Sequence, residues 1–443
     1  MQNEIAYSRP VTLTNILKFA VPTIAMSVFM SFYTMVDGLF VSNLIGTSAL
    51  SALNLVYPVI ALVTAISTML ATGGSAAIMR KMGEGKSDEA KQDFTFLILV
   101  NVLTGLVMCG LGYLFMGKIF GSMSLSPEVS AYCWEYLSRY LLFTVPILLM
   151  NNFTLYMIAA GKASLSLLCS VAGGVTNIVL DYLFIAVFRW GIGGAAVATG
   201  LGYSITAIVG LLVFSNRNSL LHFVRPVCRP QTLGRAVTNG CSEMATALVN
   251  GIITLMFNWT MLKYVGEDGV AAITIISYVL AFAGSLYAGY AYGVAPMLSF
   301  YYGEQNHEKL RKLVRTSLKI IGAIAAATVL VSLAVTEPLV SIFARPGTPV
   351  YDLAVAGNRI CSLALLFVGF NIFASGMFTA LSNGLISAVL AFSRTFVFTL
   401  IAMLVLPVIL GVTGIWLATP AAELAAVVLS AVMLLKYRRR YCY

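Results

Sequence analysis

Long apolar stretches, broken by short polar segments, run through this chain from end to end. They predict twelve helical segments, at about 12–41, 50–78, 94–117, 130–158, 163–188, 191–215, 236–263, 269–300, 316–336, 353–381, 385–409 and 412–436. Each is long enough to cross a bilayer, which takes roughly 20 residues of α-helix. The runs are too long and too continuously apolar for the alternating strands, about 10 residues each, of a membrane β-barrel. The expected fold is an all-α integral membrane protein without a separate soluble domain.

A repeat organises the twelve helices. A shift of 220 residues carries Gly46 onto Gly266, Ala52 onto Ala272, Gly73 onto Gly293 and Gly83-Glu84 onto Gly303-Glu304. The same shift carries Gly191 and Gly194 onto Gly411 and Gly414, and Ala198-Thr199 onto Ala418-Thr419. It spans six helices, an even number, so the two halves run the same way through the membrane, related by an axis along its normal. The expected organisation is two parallel six-helix lobes, an N-lobe at 10–215 and a C-lobe at 236–437. A basic cytoplasmic linker at 216–235, with Pro226 and Pro230, joins them. Two lobes around a central cleft suit alternating access.

Composition narrows the class. Of 443 residues 59% are hydrophobic and 10% charged, against about a quarter charged in a soluble domain. The net charge of +10 would suit nucleic acid if it were a patch, but its placement says otherwise. Lys and Arg gather at one end of the bundle: the N-terminus, RKMGEGKSDEAKQ, AAGKAS, the linker, GEQNHEKLRKLVR, a turn at Arg394, and KYRRR. Only Lys118, Arg139, Arg189, Lys263, Arg345 and Arg359 fall at the other end. That bias places both termini in the cytoplasm, with the lipid bilayer as partner and nucleic acid excluded.

The opening MQNEIAYSRP lacks the features of a cleavable signal, so the first apolar run is expected to remain as a span. Seven scattered cysteines without a CxxC pair are expected to be small buried hydrophobes. His222 and His307 sit in polar loops, and no metal-ligand or catalytic spacing exists, which argues against an enzyme. Gly73-Gly74 and GIGGAA lack the lysine and strand–turn–helix setting of a phosphate loop, which argues against an ATP-driven pump. The sequons at Asn152 and Asn258 lie within spans and should be silent.

Four acids interrupt the apolar runs: Asp37, Asp181, Glu243 and Glu423. Such groups are costly in hydrocarbon and usually face a cavity on an ion or substrate path. Asp37 lies nine residues before Gly46, Asp181 about eight before the turn Phe188-Arg189-Trp190-Gly191, and Thr199 eight after Gly191. At about 1.5 Å per residue all three are roughly 12 Å from the same end of helices 1, 5 and 6. Asn177 shares the Asp181 face one turn away. These four offer hard oxygen ligands suited to Na⁺, a shared proton or an organic cation. Neighbouring acids resist joint ionisation without a cation, so the cluster should respond to an H⁺ or Na⁺ gradient. The repeat counterparts of Asp37, Asn177 and Asp181 are Phe257, Val397 and Ile401, so this site belongs to the N-lobe alone.

Aromatic residues are dense in helices 1, 2, 7 and 8, including Phe29, Tyr33, Tyr57, Phe257, Trp259, Tyr278, Tyr287 and Tyr290. They suit a cleft for flat cations or ordinary bundle packing. Glu243, Tyr33, Phe257 and Tyr278 are the candidates for cargo contact. Pro58, Pro146, Pro296 and Pro407 mark positions for kinks.

The chain resembles the MATE family, the multidrug and toxic compound extrusion transporters, and within it the bacterial MepA-like branch. The resemblance rests on Pro22 followed by VDGLFVSNLIGTSALSALNLVYP, then GGSAAIMRKMGEGK, NIVLD-YLF, GIGGAAVATG and GVTGIWLATPAAE. It implies a twelve-helix antiporter, expected to act as a monomer, that expels small cationic or amphipathic compounds. Inward H⁺ or Na⁺ flow would drive it, with no cofactor beyond that coupling ion. It also implies that Asp37, Asn177, Asp181 and Thr199 form the cation site, with Glu243 a looser match to an acid some members carry in helix 7. The helix-10 acid of some branches is missing from LALLFVGFNIFASGMF. Two alternatives stand beside this reading. A lipid-linked precursor flippase would want a cationic central cavity. A non-transporting receptor or scaffold would leave the acid cluster without a purpose.

Overall fold

A computed structural model describes residues 10–44, 47–121 and 126–443; at 34–44, 47, 48, 50, 51 and 121 it describes the backbone alone. The N-lobe holds α1 (Leu13–Leu44), α2 (Thr47–Gly83), α3 (Ser87–Gly121), α4 (Pro127–Leu142 with Thr144–Ala159), α5 (Ala163–Asp181 with a π segment Tyr182–Val187) and α6 (Gly191–Ser215). The C-lobe holds α7 (Pro230–Tyr264), α8 (Glu267–Gly303) and α9 (His307–Ala334). It continues with α10 (Pro349–Cys361 through Ser362–Ala364 to Leu365–Ala380), α11 (Gly384–Phe392, a π segment Ser393–Phe398, Thr399–Leu410) and α12 (Val412–Tyr441). Every apolar run in the sequence falls on one of these. Among the described residues eleven helices are long and apolar enough to cross a membrane, and the two bent pieces of α4, taken as one span, make twelve.

The pieces of α4 meet at 55°, beside Pro146. Proline has no N–H to give, and its ring crowds the carbonyl four residues earlier. Thr144 Oγ1 donates to the Leu141 carbonyl at 2.7 Å and satisfies one of the acceptors freed at the bend. At Pro58, Pro296 and Pro407 the helices run on unbroken.

Three large clusters make up most of the apolar core, and their distribution gives the molecule its shape. At the end carrying the termini, one core mixes both lobes: Ile16, Ile78 and Phe94 pack with Tyr290, Val294, Leu313 and Phe378. At the opposite end the cores are separate. Ala52, Met116, Tyr140 and Ile185 form one within the N-lobe, while Ile276, Cys361, Met403 and Trp416 form another within the C-lobe. The lobes are joined at one end of the bundle and divided at the other.

Small residues make the joint. A methyl group on Gly83 would collide with the Phe300 carbonyl, and one on Gly303 with the Arg80 carbonyl, where α2 crosses α8. Gly73 of α2 lies against Ala236 and Gly240 of α7, and Gly293 of α8 against Ala20 and Thr23 of α1. The 220-residue shift maps each crossing onto its mate, so the repeat is also the symmetry of the interface. Backbones this close gain packing that larger side chains would prevent.

Charge reinforces the joint. Asp93, which the pattern leaves among polar loop acids, is fully buried at the start of α3. Its carboxylate pairs with Lys81 of α2 and with Arg229 at 3.2 Å, and accepts from Thr232 Oγ1 of α7 at 3.1 Å. Pro230 opens α7 at its first position, where its missing N–H costs nothing, so the last part of the expected linker is helical.

One expectation is corrected here. Arg394 is not in a turn at the basic end; it lies in the π segment inside α11. The chain reverses earlier, at 381–383, where Asn383 Oδ1 accepts from the Ile386 N–H and caps α11.

Candidate functional site

In the N-lobe, α5 and α6 approach closely where Gly173 faces Gly202. That contact brings Asn177 and Thr199 together: Asn177 Nδ2 donates to Thr199 Oγ1 at 3.3 Å, and Thr199 Oγ1 donates to the Ala195 carbonyl at 3.0 Å. Asp181 follows one turn along, completely buried, and the π segment begins at the next residue. Such bulges shift the register of a helix and re-aim its side chains. Asn177 Oδ1 is buried and has no hydrogen-bond partner among the described residues. A carbonyl oxygen in that condition costs about 1–3 kcal/mol, which a cation held beside it would offset. The amide, hydroxyl and carboxylate oxygens thus fit a hard cation such as Na⁺, or a proton on Asp181. Asp37 is on α1, but its side chain lies outside the described residues.

Between the lobes lies a cavity of about 350 Å³, within the range of roughly 300–1,000 Å³ typical of small-molecule sites. Thr72 and Ser75 of α2 line it from one lobe; Glu243 and Asn250 of α7, Tyr292 of α8 and Arg394 of α11 line it from the other. The Glu243 carboxylate has no hydrogen bond or ion pair to any described residue. Glu423, by contrast, is fully engaged. Its Oε1 takes Arg394 Nε at 2.9 Å, and its Oε2 accepts from Asn371 Nδ2 at 2.7 Å. Ser430 in turn donates to Asn371 Oδ1 at 2.9 Å.

The aromatic candidates lie elsewhere. Tyr33 is buried inside the N-lobe against Gly174, beside Phe29. Phe257 packs on the separate C-lobe core. Tyr278 is half exposed and stacks on Phe343, ring centroids 6.1 Å apart. None of the three lines the interlobe cavity. Tyr287 and Tyr290 are buried, their hydroxyls donating to the Leu365 carbonyl at 2.9 Å and Ser317 at 2.8 Å. Tyr57 and Trp259 are exposed. Asn152 exchanges amide hydrogen bonds with Asn101 at 2.8 and 3.1 Å, which gives it a packing role between α3 and α4.

Sequence reasoning missed Arg394, Asn371 and Tyr292. The signal for Arg394 was present: an arginine inside an otherwise apolar run, 29 residues before an equally isolated glutamate.

Comparison with known proteins bears on this arrangement. A family model described as MatE matches the chain twice, at residues 22–183 and 244–405, once in each lobe. The multidrug export protein MepA of Staphylococcus haemolyticus is 22% identical over 96% of this chain and 93% of its own length. Its namesake from Staphylococcus aureus strain MRSA252 is 21% identical over the same shares. A solved structure of an outward-facing multidrug resistance MATE family transporter matches with a TM-score of 0.89 and 24% identity, covering 96% of this chain and 95% of that one. That likeness establishes the two-lobe fold.

Proposed function

Because the chain belongs to the MatE family of membrane transporters, we propose that it exports small cationic or amphipathic organic compounds in exchange for inward-moving H⁺ or Na⁺. The observation that carries this reading is Glu243, an acid in a cavity shared by both lobes, which feels the Arg394 charge but makes no direct hydrogen bond or ion pair among the described residues. A positively charged cargo supplies what that carboxylate lacks, and the apolar walls accept its hydrocarbon.

The coupling ion occupies a different place. Asp181, Asn177 and Thr199, with Asp37 from α1, hold it inside the N-lobe. With both termini in the cytoplasm of a bacterial plasma membrane, the divided end of the bundle faces outward and the joined end seals the inside. Ion binding in the N-lobe biases which end is joined, and cargo leaves in the outward-open arrangement. The bias equals the difference in ion affinity between the two arrangements.

A flippase for lipid-linked pyrophosphates fits less well. The charged residues lining the cavity are Glu243 and Arg394, and Arg394 is already paired with Glu423, so no cationic patch is present to hold a polyanion.

The test is efflux of rhodamine 123, a fluorescent organic cation, from purified protein in liposomes with pH and Na⁺ gradients imposed separately. Transport driven by one gradient identifies the coupling ion. Transport under neither refutes the proposal.

A further inference from the structure

The cytoplasmic part of α9 carries a row of cations that neither the ion site nor the cavity uses. Arg311, Arg315 and Lys319 are spaced by four residues, so they stack on one face of the helix, with Lys312 beside them. All four are exposed. None of them forms an ion pair with a described residue, Glu308 of the first turn included, whereas Lys309 is taken up by Glu304 at 3.7 Å. The same face continues through Ala323, Ala326 and Leu330, also exposed. With the termini in the cytoplasm, as proposed above, Ala334 is the outer end of α9. Counting about 20 residues of hydrocarbon back from it puts Arg315 at the cytoplasmic boundary, Lys319 about 6 Å inside and Arg311 about 6 Å outside. Cations on a lipid-facing helix at that depth draw their heads toward the headgroups, where the counter-charge is a lipid phosphate.

The repeat supplies a comparison. The counterparts of Arg311, Lys312, Arg315 and Lys319 are Lys91, Gln92, Thr95 and Leu99 of α3. There the linker closes over the corner: Arg229 Nη2 donates to Gln92 at 2.9 Å, and the Val224 N–H donates to Thr95 Oγ1 at 3.1 Å. Lys91 pairs with Asp88 at 3.7 Å, and Leu99 is exposed. A general need for cytoplasmic positive charge does not explain three cations in depth on one helix and a leucine at the matching depth of the other.

We propose that this face of α9 is a binding site for an anionic phospholipid of the cytoplasmic leaflet. The phosphate oxygens accept from Arg311, Arg315 and Lys319, with Lys312 adding charge at the rim. An acyl chain lies along Ala323, Ala326 and Leu330, where the two short side chains leave a shallow track. The site belongs to the C-lobe alone and is independent of cargo and coupling ion.

Native mass spectrometry of the purified full-length protein, offered equal amounts of phosphatidylglycerol and phosphatidylcholine with the same acyl chains, counts the lipids each variant retains. Wild type should hold phosphatidylglycerol about 10-fold more tightly than phosphatidylcholine. That preference should fall toward one in Arg311→Gln/Arg315→Gln/Lys319→Gln. It should survive in Arg217→Gln/Arg225→Gln/Arg439→Gln, which removes the same charge from exposed positions elsewhere at the cytoplasmic end. Melting curves verify that each variant is folded. Lys319→Leu, which installs the residue of the α3 counterpart, is the milder variant and should lower the preference about 3-fold. No preference in wild type, a preference unchanged in the folded α9 variants, or equal loss in the control triple variant overturns the assignment. Displacement of the lipid by excess glycerol phosphate also overturns it, because the cations would then serve a soluble phosphate.

Discussion

The two lobes share a helical frame but place their charges oppositely. In the N-lobe, Asp181 is turned into the lobe itself, beside Asn177 and Thr199. In the C-lobe, Arg394 and Glu243 face the shared cavity between lobes, and the counterpart of Asp181, Ile401, is exposed. A π segment adjoins the charge in both: Tyr182–Val187 follows Asp181, and Ser393–Phe398 contains Arg394. The segments fall at different points of equivalent helices, α5 and α11, so the same local device serves different surfaces. Duplication explains the frame; in the proposed function the division of labour is local, with ion chemistry assigned to one lobe and cargo chemistry to the seam.

The largest expected effects come from removing the N-lobe charges. Asp181→Asn and Asp37→Asn should each lower gradient-driven rhodamine 123 efflux by about 100-fold or more, with melting temperature little changed. Equal efflux by both variants and wild type would erase the distinction between the lobes. Next, Asp93→Ala should destabilise the protein by about 1–3 kcal/mol, because Lys81 and Arg229 lose their buried partner at the joined end and keep only the exposed Glu89 as a counter-charge; thermal unfolding in detergent reads this. Glu243→Gln should weaken rhodamine 123 binding by about 10-fold, measured by fluorescence anisotropy, while the ion dependence of what transport remains is retained.

The smallest effect compares equivalent loops. Glu84 receives Arg80 Nε and Lys86 Nζ, both at 3.0 Å, whereas its counterpart Glu304 has Lys309 at 3.7 Å. Burial alone would raise the Glu84 pKa, but the hydrogen bond from Lys86 and the charge and hydrogen bond of Arg80 outweigh it and hold the carboxyl below 4.5. A depressed folded-state value stabilises the protein above the ordinary pKa, and that contribution disappears as pH falls through the lower folded value. Solvent screening keeps it under about 1 kcal/mol. Glu84→Gln should therefore cost slightly more than Glu304→Gln at pH 7, with the difference vanishing as pH falls below the lowered folded-state value of Glu84.

Much of this architecture was legible in the sequence. Twelve spans follow from run lengths because hydrocarbon thickness fixes helix length. The Gly73/Gly293 and Gly83/Gly303 matches marked the interface because only small residues fit there. Pro146 marked the bend in α4. Helical depth set Thr199 level with Asp181 and Asn177 one turn deeper, and the hydrogen bond to Thr199 comes from Asn177. Arg394 was legible as a lone arginine inside an apolar run, but its place in the cavity depends on Glu423 and Asn371, which come from other helices. Asp93 was missed for the same kind of reason: its burial depends on Lys81, Arg229 and Thr232, which come from different segments. Local pattern carried the elements, and charge pairing across segments decided which polar residues face what.

The central claim, that the ion is held within the N-lobe and the cargo at the seam between the lobes, has a direct test in Asp181→Asn. Rhodamine 123 affinity and gradient-driven transport are measured on the same purified preparation. Affinity within about 3-fold of wild type, with transport reduced about 100-fold, is the predicted result. Affinity lost in parallel with transport, or transport left intact, would contradict it.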